Sequence, residues 1–128
     1  MNAEKIRVLV LDDEPIVADS LAQILNLYGY QAVAVYDARD AIEWVATQPC
    51  EFLISDVVLG SGSMSGIDVA IQWGMLLPQS RVLLISGNNS TAELLKSAEQ
   101  LGHTFDVLPK PVHPSVILER LKISLRTD

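Results

Sequence analysis

Short aliphatic runs alternate with helix-period patterns along the whole chain. Residues 6–11, 31–35, 51–56, 81–85 and 105–108 read as strands, and the most continuous Val/Ile/Leu runs suit strands buried on both faces. Between them apolar residues recur at helical spacing. Val17, Leu21, Ile24, Leu25 and Tyr28 share one helical face. Pro15 suits that helix's first turn, where its missing N–H costs nothing, and Gly29 marks the end. Asp37 is placed to cap a second helix with Ala41, Ile42 and Val45 inward, and Pro49 ends it. Ile67, Ala70, Ile71 and Gly74 mark a third helix expected to lie close on the sheet. Ser90-Thr91-Ala92-Glu93 has the form of a capping box for a fourth, with Leu94, Leu95, Ala98 and Leu101 inward and Gly102 as its stop. Pro114 opens a fifth, with Ile117, Leu118, Leu121 and Leu125 inward.

Five strand–helix units with no linker predict a single α/β domain over residues 1–128, a doubly wound five-stranded parallel sheet with helices on both faces. Ligands of such sheets collect outside the carboxyl ends of the strands. That edge is where the chemistry-bearing residues fall. Asp12-Asp13 ends the first run, Asp56 the third, Ser86 the fourth, and Lys110 follows the fifth. Asp12 or Asp13 with Asp56, and a backbone carbonyl just after Asp56, would offer oxygen ligands of the kind Mg²⁺ takes. A cation there would relieve carboxylate repulsion and let Asp56 act as a nucleophile toward phosphorus. Lys110 and Ser86 would meet the phosphoryl oxygens. Each residue alone has a plainer reading: a helix start for the acidic pair, a turn for Asp56, loop positions for Ser86 and Lys110. Their joint placement at four strand ends favours the site.

Composition narrows the class. Of 128 residues, 49% are hydrophobic, enough for a core and too many for a disordered chain. Nine basic against sixteen acidic residues give a net charge of −7, which opposes nonspecific binding to nucleic acid or anionic membranes. No apolar stretch is long enough to span a bilayer, and residues 1–6 lack the pattern of a secretory leader, so a cytoplasmic location is expected. Cys50, the lone cysteine, reads as a small buried residue. His103 and His113 lack zinc-ligand spacing, and Trp44 and Trp73 read as packing residues. No glycine-rich phosphate loop follows the first strand, against a dinucleotide or P-loop site.

The segments Val8-Leu9-Val10-Leu11-Asp12-Asp13-Glu14-Pro15, Leu53-Ile54-Ser55-Asp56, Leu83-Leu84-Ile85-Ser86-Gly87 and Leu108-Pro109-Lys110-Pro111 resemble the receiver domain of two-component response regulators. The resemblance covers nearly the whole chain and implies the flavodoxin-like strand order 2-1-3-4-5. It implies that Asp56 accepts phosphate from a sensor histidine kinase or phosphotransfer protein. It also implies Mg²⁺ held by Asp12, Asp13, Asp56 and the Val58 carbonyl, Ser86 as a switch hydroxyl and Lys110 as a contact to the phosphoryl group. Val58 and Asn88 occupy positions that tune dephosphorylation in the family. The fourth helix, fifth strand and fifth helix would then show an altered surface to a downstream partner. The expectation is a signalling module rather than a turnover enzyme, either alone or as part of a larger protein; a homodimer through the last helix stays open.

The chain departs from the family in two places. Gly66 follows Asp56 by ten positions, longer than the family's usual spacing, and Gly60 stands where proline is common. Val107 stands where the family often has an aromatic, with Phe105 on the same strand face. These motivate an alternative, a receiver-like interaction module that switches little. A third reading, a phosphatase with Asp12 as nucleophile, would need a second acid that Glu14 fills only loosely.

Overall fold

The computed structural model describes residues 5–60, 64–87 and 91–126. In chain order the elements are β1 (Arg7–Leu11), α1 (Pro15–Leu27), β2 (Gln31–Val35), α2 (Ala38–Thr47), β3 (Phe52–Asp56), α3 (Gly66–Leu76), β4 (Arg81–Ser86), α4 (Thr91–Gln100), β5 (Asp106–Pro109) and α5 (Pro114–Arg126). The strands form one parallel sheet in the order β2-β1-β3-β4-β5, as expected. Helices lie on both faces of this sheet.

Strand pleating explains the two-sided core. Val8 and Val10 face one side, where they meet Ala18, Ala22 and Leu25 of α1 and Ile117 and Leu121 of α5. Leu9 and Leu11 face the other and meet Ala41 and Val45 of α2 and Val69 and Trp73 of α3. On that same side Leu84 packs with Ile67, Ala70 and Ala98 of α3 and α4. β3 is buried along its full length, and β1 is buried after Arg7. Interior strands of a parallel sheet must be apolar on both faces, which is why these runs do not alternate.

The helix ends are set by local chemistry. Asp37 caps α2 by accepting a hydrogen bond from the Asp40 amide at 2.8 Å. Ser65 and Asp68 form a reciprocal capping box at α3. His113 accepts from the Ser115 amide at 3.1 Å through Nδ1, so it caps the start of α5. Trp73 is fully buried and donates through Nε1 to Ser80 Oγ at 2.7 Å, which ties α3 to the turn before β4.

Several expectations need correction. The inward stripe of α1 is Ala18, Leu21, Ala22 and Leu25; Val17 and Tyr28 are exposed, because two alanines let the helix sit close with a rotated face. On α4, Ala98 and half-buried Leu95 meet the core while Leu94 and Leu101 face outward, since the stripe against the sheet is narrow. Gly74 of α3 is exposed, and a side chain there would meet nothing within 4 Å. The close approach is at Gly66 instead. β1 and β3 each begin one residue later than expected, and β4 extends to Ser86. β5 runs Asp106–Pro109 rather than from Phe105, because Leu83 pairs with Asp106 and Ser86 with Pro109. The proposed capping residue Ser90, Asn88 and the Leu125 side chain lie outside the described residues.

Candidate functional site

The parallel register delivers the acids to one another. Leu11 of β1 pairs with Ser55 of β3, so the residue that follows each of them is an aspartate, Asp12 just past β1 and Asp56 at the end of β3. Both are buried, at 6% and 7% exposure, while Asp13 is exposed. One carboxylate oxygen from each of Asp12, Asp13 and Asp56 lies within 4.8 Å of the others. At that spacing two full charges repel by roughly 3–4 kcal/mol at an effective dielectric near 20, with solvent weakening the share of Asp13.

Lys110 answers part of that charge. Its Nζ donates to Asp56 Oδ2 at 2.7 Å. The backbone places it, because the Lys110 amide donates to the Ser86 carbonyl at 2.8 Å. The Lys110–Pro111 peptide is cis. Burial works to lower the Lys110 pKa, but the hydrogen bond and charge of Asp56, with Asp12 and Glu14, prevail and hold it above its usual value. Burial pushes the Asp12 carboxyl above the usual range, and repulsion from Asp56 and Asp13 adds to this. The Glu14 amide, 2.9 Å from Asp12 Oδ1, and the Lys110 charge oppose the rise. Three carboxylates and one ammonium leave a formal charge of −2, so a divalent cation would neutralise the set. Their hard oxygen atoms suit Mg²⁺ or Ca²⁺ better than a soft metal.

Ser86 ends β4 one position beyond Ile85, the register partner of Asp56, so it lies at the same sheet edge. The Val57 amide donates to the Ile85 carbonyl at 2.9 Å and carries that pairing past Asp56. The Val58 amide is 3.4 Å from Asp56 Oδ1, a long contact, and its side chain is exposed. Beside the acids, a cavity of about 440 Å³ runs between α1 and α5. Asp12, Asp56 and Lys110 give it a polar edge, and Ile16, Val17 and Ile117 are among its apolar walls.

Two neighbours escaped the sequence reading. Ser55 is fully buried and donates through Oγ to the Asp56 carbonyl at 2.9 Å. The signal was available: a lone hydroxyl in the run Phe52-Leu53-Ile54-Ser55-Asp56. Gly66 lies against the same carbonyl, where a Cβ would stand only 2.0 Å from that oxygen. Other polar candidates are ordinary. Cys50 is buried, and its thiol is pushed up to about 11, mainly by that burial. Its Sγ lies 3.2 Å from the carbonyl oxygens of Arg7 and Phe52, either of which can take its one proton. His103 stacks on Phe105 with ring centroids 6.5 Å apart. Among the described residues no helix is long and apolar enough to cross a membrane.

An acid cluster and a lysine at the carboxyl edge of a 2-1-3-4-5 parallel sheet define the class. The family model "Response regulator receiver domain" matches residues 8–122, and the chain belongs to that family, the receiver module of two-component signalling. It is 27% identical over 121 residues to "Response regulator MprA" of Mycobacterium ulcerans, covering 94% of this chain and 50% of that protein. The chain thus spans about half the length of the curated relatives it matches. A receiver domain protein described as CheY-like, from Methanospirillum hungatei, superposes with a TM-score of 0.84 at 23% identity, covering 95% of this chain and 94% of that one. NtrX from Brucella abortus gives 0.82 at 24% identity, covering 97% of this chain and 27% of that one. These likenesses support the fold.

Proposed function

We propose that the protein, as a single receiver unit, accepts a phosphoryl group on Asp56 from a phosphohistidine of a sensor histidine kinase or phosphotransfer protein. The observation that carries this reading is the 2.7 Å contact of Lys110 Nζ with Asp56 Oδ2 inside the three-carboxylate cluster. An Asp56 carboxylate oxygen attacks phosphorus and the P–N bond breaks. The electron pair stays on the imidazole nitrogen, which takes up a proton. Lys110 moves its contact to a phosphoryl oxygen, and Ser86 at the same edge donates to another. Asp12, Asp13, Asp56 and the Val58 carbonyl would hold Mg²⁺, which when bound neutralises charge on the phosphoryl oxygens. The new charge on Asp56 draws Lys110 and Ser86 inward and shifts the surface of α4, β5 and α5 toward a downstream protein partner. No small-molecule turnover is proposed beyond gain and loss of this phosphoryl group.

Intact mass after incubation with acetyl phosphate tests the reading. One added phosphoryl group is expected on wild type with Mg²⁺, and none without Mg²⁺ or on folded Asp56→Asn. Failure to gain that mass, together with failure to bind beryllofluoride, would sink it. Val107 favours a second reading, an interaction module with little switching. It sits half-buried among Leu84, Ala98 and Phe105 where the family often carries an aromatic. Partner affinity that is equal with and without beryllofluoride would support that alternative.

A further inference from the structure

The loop between β3 and α3 leaves the sheet at Asp56 and enters α3 at Gly66. Gly60 within this loop and Gly66 at its end lie against Asp13 and Asp56 of the acid cluster. Gly60 has a φ of +45°, a conformation that side chains disfavour. A Cβ there would stand 2.6 Å from Asp13 Oδ2 and 3.3 Å from Asp13 Cγ. At Gly66 a Cβ would stand 2.0 Å from the Asp56 carbonyl oxygen and 2.8 Å from Ser55 Oγ. Gly74, on α3, has nothing within 4 Å, so such crowding is not general to the glycines here.

The two contacts differ in what can yield. At Gly66 the obstacle is backbone, and the Gly66 amide is itself fixed to the Val57 carbonyl at 2.7 Å. At Gly60 the obstacle is the tip of a carboxylate that can rotate. Away from the cluster, Asp13 borders a cavity of about 270 Å³ lined by Tyr36, Asp37, Leu59, Gly60 and Met64. A side chain at position 60 would therefore turn Asp13 out of the cluster rather than rebuild the loop.

We propose that Gly60 is a positioning residue for the cation site, its missing side chain leaving the Asp13 carboxylate room to face Asp12 and Asp56. This rests on reading the cluster as a Mg²⁺ site. Calorimetric Mg²⁺ titration of wild type, Gly60→Ala, Gly60→Asn, Asp13→Asn and the double variant Gly60→Ala/Asp13→Asn tests it, with Gly74→Ala as control. Gly60→Ala is expected to bind Mg²⁺ about tenfold more weakly. Gly60→Asn tolerates the positive φ but carries a Cβ, so it should lose as much. The double variant should bind no more weakly than Asp13→Asn, because Gly60 acts through that carboxylate. Wild-type affinity in Gly60→Ala, recovery in Gly60→Asn, or a further loss in the double variant would overturn the proposal. A wild type that binds no Mg²⁺ would instead refute the metal reading, and this inference with it.

Discussion

At the scale of single residues, charge is concentrated on Asp12, Asp56 and Lys110. Asp12 is held by its fold in a place that penalises its charge, chiefly through burial and then through Asp56 and Asp13. Its folded pKa is raised, so the folded state binds this proton more tightly than the unfolded chain. Stability linked to Asp12 therefore falls as pH rises from the unfolded value through the folded one, and the charged form carries the full penalty at neutral pH. Asp12→Asn keeps an oxygen for the Glu14 amide and removes the charge. It is expected to unfold at higher urea than wild type at pH 7 in chelator, with the gain vanishing as pH falls below the ordinary carboxylate range. A variant less stable than wild type at pH 7 would contradict this. Lys110 works in the other direction. Its raised pKa stabilises the fold below the unfolded lysine value and loses that effect as pH rises through the folded value. Lys110→Met leaves Asp56 buried beside Asp12 without its cation. A loss of about 1 kcal/mol is expected by urea unfolding in chelator, kept modest because the lysine side chain is partly in solvent.

At the scale of elements, caps and glycines give the clearest tests. Asp37→Ala removes the side-chain acceptor for the Asp40 amide and should cost about 1 kcal/mol, a thermal midpoint lower by roughly 3–5 °C. Gly74→Ala, exposed on α3 with open space around it, should stabilise by roughly 0.5–1 kcal/mol. The sequence showed the Asp37 cap because capping is local: one side chain, one amide three residues on. It misjudged Gly74 and missed Gly66 because close approach depends on which helix face meets the sheet. The same cause misled the reading of α1. Val17 and Tyr28 fit a helical period as well as Ala18 and Ala22 do, and only packing against Val8 and Val10 selects the alanines. Ser55 was passed over because a hydroxyl within an apolar strand reads as a neutral break until its acceptor, the Asp56 carbonyl, is seen.

At the scale of the whole molecule, the acids stand near each other only because β1 and β3 are adjacent and in register. The sequence placed Asp12, Asp13, Asp56, Ser86 and Lys110 at one edge of a doubly wound sheet, and the family resemblance supplied the strand order that the fold adopts. The direct Lys110–Asp56 pair was not legible, since Lys110 is 54 residues away in the chain. This dependence on global structure has a thermodynamic consequence. In an unfolded chain Asp56 is remote from Asp12 and Asp13, so a cation held by all three binds the folded state far better. With Mg²⁺ as that cation, linkage predicts a stabilisation of the entire fold by RT ln(1 + [Mg²⁺]/Kd), about 1.4 kcal/mol at tenfold the Kd. For a chain of this size that should raise the thermal midpoint by roughly 3–6 °C. Chelator should reverse the rise. Asp13→Asn should shrink it, and Asp56→Asn should nearly abolish it. The gain should also fade as pH drops through the Asp12 range, because protonation of Asp12 competes with the cation. Scanning calorimetry at several Mg²⁺ concentrations checks the slope, and an equal shift in all three proteins would place the bound cation elsewhere.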